Sequence, residues 1–175
     1  MNIRLDNIEK FSTPYDESII QRFFTDEDNI TPSPEHEDQI IYFTGNAAKF
    51  LWNLEMKLGL STTSKHFNSI STFNTAGKSS AEIKKYLFNL SIPFDHWVFI
   101  IEQPDTCFKL TWKMVIKYFS GLFLTDQIIW DNSFNWRLEY YHDGVFTFAR
   151  GIIHNVNDEG EKLAIAVKEM NNRKY

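Results

Sequence analysis

Trp136, Leu138 and Tyr140 alternate with Arg137, Glu139 and Tyr141, which is the two-residue period of a strand with one buried face. Val145 to Arg150 alternates in the same way, and the run Gln127 to Trp130 precedes both. The stretch from Asp126 to Gly151 therefore predicts three consecutive β-strands joined by two tight turns. If His142-Asp143-Gly144 forms a three-residue loop with Gly144 left-handed, Tyr141 pairs with Val145, and Trp136, Leu138, Tyr140, Phe146 and Phe148 share one face. A two-residue Asp-Gly turn instead sets Arg137 opposite Arg150 and Glu139 opposite Phe148. The side chains favour the longer loop.

Upstream, helical spacing alternates with turn signals. Asp16 to Phe24 reads as a short helix, with Pro14 before it and acidic residues in its first turn, where the helix dipole favours them. Residues 26–38 hold Thr31-Pro-Ser-Pro34 and six acidic residues, the composition of an exposed loop. Gln39 to Phe43 is either a buried strand or the start of the next helix, and its run of four apolar residues favours the strand. Asn46 is the expected cap of a helix to Leu58, with Phe50, Leu51, Leu54 and Leu58 on one side and Gly59 ending it.

Residues 61–78 are rich in Ser, Thr and Asn with little periodicity, and predict a long surface loop. Ser79 or Ser80 caps a helix from Ala81 to Leu90, which Pro93 prevents from continuing. Asp95 to Ile101 is a central strand candidate, Leu110 to Phe119 an amphipathic helix, and Glu159 to Asn171 a closing helix with Leu163, Ala164, Val167 and Met170 at helical spacing. The expected fold class is α+β: a single globular domain over residues 1–175, with an antiparallel sheet, a C-terminal three-strand meander, and several helices packed against it.

Composition narrows the function classes. At 175 residues the chain is long enough for one substantial core, and 16 Phe supply large rings to fill it. The one cysteine, Cys107, excludes an internal disulfide, lacks partners for a cysteine-based metal site, and reads as a buried thiol. The first ten residues never build the apolar block of a signal peptide, and the longest apolar run, Trp97 to Ile101, is far short of the ~20 residues that span a bilayer. A cytoplasmic protein without membrane contact is expected. A formal charge of -5 argues against nonspecific nucleic-acid binding and suits a basic partner.

No local chemical motif is complete. His142-Asp143 is the best catalytic-looking pair, since a carboxylate can orient an imidazole, but neighbours in a turn rarely face each other. Asp126 and Asp131, with Glu139 and Asp143, form a paired-carboxylate site only if the sheet brings them together; turn and strand-end roles are favoured. His36, His66, His96 and His154 lack the spacing that puts two ligands on one helix face. Neither a glycine-rich phosphate loop followed by Lys nor a Gly-x-Ser-x-Gly elbow is present. No catalytic residue, metal or cofactor is therefore assigned.

Trp130-Asp131, Phe134-Asn-Trp136, Tyr141-His-Asp-Gly144 and Phe146-x-Phe148 together resemble the C-terminal half of some small bacterial immunity proteins, of the polymorphic or contact-dependent inhibition type. The resemblance covers about residues 108–151. It implies a non-enzymatic cytoplasmic protein that neutralises a toxin by occluding its active site or substrate groove, and it carries over no catalytic residues. An acidic inhibitor of a basic toxin gains encounter rate and orientation from complementary potential. The candidate contacts are the acidic residues Asp26, Glu27, Asp28, Glu35, Glu37 and Asp38, and the hairpin tip Tyr141, His142 and Asp143. The alternatives are a small hydrolase using His142 with Asp143 or Asp126, and a structural or regulatory subunit.

Overall fold

The computed structural model describes residues 2–14 and 17–152, and the helix expected over 159–171 lies outside them. Among the described residues, seven strands form one antiparallel sheet in the order β1-β4-β3-β5-β6-β7-β2. They are β1 Ile40–Phe43, β2 Phe67–Asn74, β3 Trp97–Gln103, β4 Thr106–Thr111, β5 Gln127–Trp130, β6 Trp136–Tyr141 and β7 Val145–Ile152. The helices are α1 Glu17–Phe23, α2 Pro34–Glu37, α3 Gly45–Leu58, α4 Ser80–Asn89, α5 Trp112–Lys117 and α6 Phe119–Leu122, preceded by a 3-10 helix over Leu5–Phe11.

The meander β5-β6-β7 has the expected register. Tyr141 pairs with Val145, Leu138 with Phe148 and Tyr140 with Phe146, and Gly144 takes a φ of 83° in the loop, a conformation that a side chain disfavours. Leu138, Phe146 and Phe148 enter one core, with Trp136 and Tyr140 packed at its margin. Trp136 is half-buried rather than buried, because it stands at the end of β6, where its indole N–H reaches Asp131.

Alternation supplies both faces of the sheet. Val98, Ile100, Phe108, Leu110, Ile129 and Leu138 face a core closed by residues of α1, α4, α5 and α6. Phe99, Ile101, Cys107 and Trp130 face the opposite side, under Phe50, Leu51 and Leu54 of α3 and Ile8 of the 3-10 helix. Burying two faces of the central strands explains their near-continuous apolar runs.

Three local expectations are corrected. Residues 67–74 are an edge strand, not loop: β2 pairs with β7 along its length, yet only Phe67 is buried, so polar residues occupy both faces and hide the strand period. The helix expected from Leu110 begins at Trp112, because Thr106–Thr111 is β4, hairpin partner of β3 and neighbour of β1. Thr44, not Asn46, stands at the N-cap of α3. At α4 the cap is Ser79: its hydroxyl accepts from the Glu82 amide while Glu82 accepts from the Ser79 amide at 2.9 Å, a reciprocal capping box.

Candidate functional site: an acidic sheet end and a histidine–aspartate pair

The strand directions sort the expected site residues onto two ends of the sheet. Asp126 precedes β5 and Tyr141-His142-Asp143 follow β6, so these residues share one end with the β3–β4 turn at Asp105. Asp131 follows β5 and lies at the other end with Trp136, about 17 Å away at ~3.3 Å per residue. Glu139 points inward between them. The sheet therefore does not assemble Asp126, Asp131, Glu139 and Asp143 into one carboxylate site.

At the first end, the partner of His142 is Asp126 rather than its neighbour Asp143. The Asp126 Oδ1 accepts from the His142 backbone amide at 2.7 Å and lies 2.9 Å from the imidazole Nδ1. This hydrogen bond and the adjacent negative charge push the His142 pKa up, and the same contacts hold the Asp126 carboxyl below its ordinary range. Both side chains are largely solvent-exposed, and the pair locks the hairpin tip onto the start of β5.

Tyr141 is fixed from beneath. Its ring is exposed, while its hydroxyl donates to Glu139 Oε2 at 2.8 Å. Partial burial and that carboxylate raise the phenol pKa to about 12. Glu139 also accepts from Thr62 at 2.7 Å and pairs with Arg137, whose Nη1 reaches Glu55 of α3 at 2.6 Å. A buried ionic network thus anchors an exposed aromatic ring. Leu124, 66% exposed just before β5, adds a second large apolar side chain at this end.

The acidic segment is less available than its composition suggests. Asp26 is a turn former: its Oδ1 accepts from the Ile30 and Asp28 amides, its carboxylate lies 3.6 Å from Lys117, and its side chain is only 11% exposed. Its role as an exposed contact is therefore corrected. Desolvation opposes its charge, but the two backbone bonds and Lys117 hold its pKa below the ordinary value. Glu27 pairs with Lys84 of α4. Asp28, Glu35, Glu37 and Asp38 are exposed, the last three in and just after the one-turn α2.

The opposite end carries a pair that sequence reasoning missed. His96 Nε2 lies 2.7 Å from Asp131 Oδ2, which also accepts from Trp136 Nε1 at 2.7 Å. Asp131 Oδ1 accepts from the Ser133 amide at 2.8 Å and from its hydroxyl. Burial pushes the Asp131 pKa up, but the bonds from Ser133, His96 and Trp136 outweigh it and hold the carboxyl below its ordinary range. The partners are 35 positions apart, so no local spacing announces them. Among the described residues, no group of three or more His, Cys, Asp or Glu is placed to hold a metal ion, and no helix is long and apolar enough to cross a membrane.

Comparisons of the chain with protein-family models, with curated proteins and with solved structures give no match in any of the three.

Proposed function

We propose that this protein is a cytoplasmic immunity protein that neutralises a basic bacterial toxin by covering its active site or substrate groove. The observation that carries the reading is Tyr141: an exposed ring held by its hydroxyl to the Glu139–Arg137–Glu55 network, at a sheet end that also bears Asp105, Asp126 and Asp143. A pre-positioned aromatic loses little conformational entropy on docking and suits the centre of an interface. Surrounding carboxylates steer a basic partner toward it. Leu124 extends the apolar part of the same contact.

The test is co-expression with the product of the adjacent gene. Wild type should protect the cell and co-purify with that product, and the double variant Leu124→Asp with Tyr141→Ala should do neither while remaining folded. Full protection by the double variant would reject this surface, and an adjacent gene of metabolic function would reject the toxin reading.

A second reading, a small hydrolase, is favoured by the Asp126–His142 contact. Hydrolysis of an ester or phosphoester panel by wild type, lost in His142→Ala, would put that reading first.

A further inference from the structure

A cleft of about 530 Å³ opens at the end of the sheet opposite Tyr141, between the loop after α4 and the strands β6, β7 and β2. This is within the volume range of small-molecule sites. Its apolar wall includes Ile92, Trp136 and Phe148, and the Trp136 and Phe148 rings lie 5.8 Å apart. Trp136 is held in place by its hydrogen bond to Asp131.

Among the described residues, the polar wall holds one donor-only group, the Arg150 guanidinium. The Arg150 guanidinium stacks 4.8 Å over the Phe148 ring and donates from Nη2 to the Leu90 carbonyl at 2.7 Å. A guanidinium has five N–H donors, so this anchor fixes the group while leaving donors for a ligand. Asn135 accepts from the Ile152 amide through Oδ1 at 3.2 Å, which leaves its NH₂ as the donor side. His96 donates its Nε2–H to Asp131, a carboxylate that only accepts, so the ring serves to hold Asp131 rather than the anion. The one carboxylate among the described residues of the lining, Asp131, is already engaged by Ser133, His96 and Trp136.

We propose that this cleft is a binding site for a small organic anion, a flat ring bearing a carboxylate or phosphate, with the ring against Trp136 and Ile92 and the anion on Arg150 and Asn135. The chain as a whole carries a charge of -5, whereas the described lining of this cleft sets one guanidinium, Arg150, against one carboxylate whose oxygens are already engaged, so Arg150 is its available charge. An anion and a flat ring together satisfy both walls, since charge-assisted bonds to a planar guanidinium suit carboxylate and phosphate oxygens alike. The site is independent of the surface proposed for toxin binding, which lies at the other end of the sheet.

Isothermal titration calorimetry with two matched pairs tests it: indole-3-acetate against indole-3-acetamide, and adenosine 5′-monophosphate against adenosine. At least one anion should bind about tenfold or more tighter than its neutral counterpart, the loss expected when charge-assisted bonds become neutral ones. Benzoate against phenyl phosphate, which share one ring, tells carboxylate from phosphate. Arg150→Gln should abolish the preference. Ser69→Trp, at an exposed position of β2 on the cleft wall, should abolish binding with little change in melting temperature, and it decides the matter even if Arg150→Gln fails to fold. Equal binding of acid and neutral partner, no binding of either anion at millimolar concentration, or undiminished binding by folded Ser69→Trp would overturn the proposal.

Discussion

Arg137 on β6 and Glu55 on α3, 82 positions apart in the chain, meet in the interior at 2.6 Å, with each residue no more than 5% exposed. Glu139 lies on the other side of the guanidinium, so one cation serves two buried carboxylates. Removing that cation leaves uncompensated negative charge in a dry place. Arg137→Met, which keeps much of the volume, is expected to cost about 3–5 kcal/mol in urea unfolding. Glu55→Gln keeps an oxygen for Arg137 and should cost far less. Similar small losses in both variants would show that the network is solvated in solution.

The same network makes a pH prediction. Burial pushes the Glu55 pKa above its ordinary 4.5, against the pull of Arg137 and with the charge of Glu139 adding to the rise. Between the ordinary and the elevated value the folded state holds a proton that the unfolded state releases, so this group's contribution is full below 4.5 and is lost as pH rises through the elevated folded value, above which Glu55 is the carboxylate that faces Arg137. Asp131 has the opposite sign: its folded pKa is depressed, so its contribution is present above 3.8 and lost as pH falls through the lower folded value. Urea melts across the acid-to-neutral range should show Glu55→Gln flattening the decline above 4.5 while leaving the acid limb in place. An unchanged upper limb would remove Glu55 as its source.

These two groups show what the sequence made legible. The meander could be read because its strands are local, alternate in polarity and are joined by a turn with Gly144 at the left-handed position, so the register follows from side-chain faces alone. Glu139 and Arg137 lie on that readable strand, but their partner comes from α3, and no pattern along the chain forecasts a helix residue 82 positions away. His96 and Asp131 escaped for the same reason. Strand β2 escaped for a different one: at the sheet edge its middle, residues 68–72, is exposed on both faces and only Phe67 and Phe73 near its ends reach the core, so the apolar alternation that marks a strand is missing between them. Strand β4 was hidden by its two buried faces, where Cys107 and Phe108 enter different cores and give a pattern easily merged with the helix that follows.

Gly121 and Gly59 should respond differently to alanine. A Cβ on Gly121 of α6 would stand 2.7 Å from the Phe23 carbonyl oxygen of α1, and backbone cannot yield as a side-chain tip can. Gly121→Ala is therefore expected to cost about 1–3 kcal/mol by overpacking. Gly59 ends α3 at a φ of 55° in open space, so Gly59→Ala meets only the left-handed backbone penalty of about 1–2 kcal/mol. Restoring Gly121→Ala with a second substitution is not expected to work from any side chain, because the clash is with main chain. A thermal melt of Gly121→Ala indistinguishable from wild type would mean that α1 and α6 are farther apart in solution.

If the acidic sheet end docks a basic toxin, its charges and its aromatic ring should separate kinetically. Neutralising Asp105 and Asp143 together removes long-range attraction while leaving the Asp126–His142 lock and Tyr141 in place, so association should slow and its salt dependence weaken, with dissociation nearly unchanged. Tyr141→Ala should do the reverse, leaving association intact and speeding dissociation. Tyr141→Phe is the sharper probe: it keeps the ring but loses the bond to Glu139, so a faster off-rate there would mean that the anchor's fixed position matters as well as its area. Neutralising Asp26 and Glu27 should have a smaller effect on association, because those charges already face Lys117 and Lys84. Surface-binding kinetics at several salt concentrations measure all four variants. A larger association defect from Asp26 and Glu27 than from the sheet-end carboxylates would move the docking surface to the acidic segment.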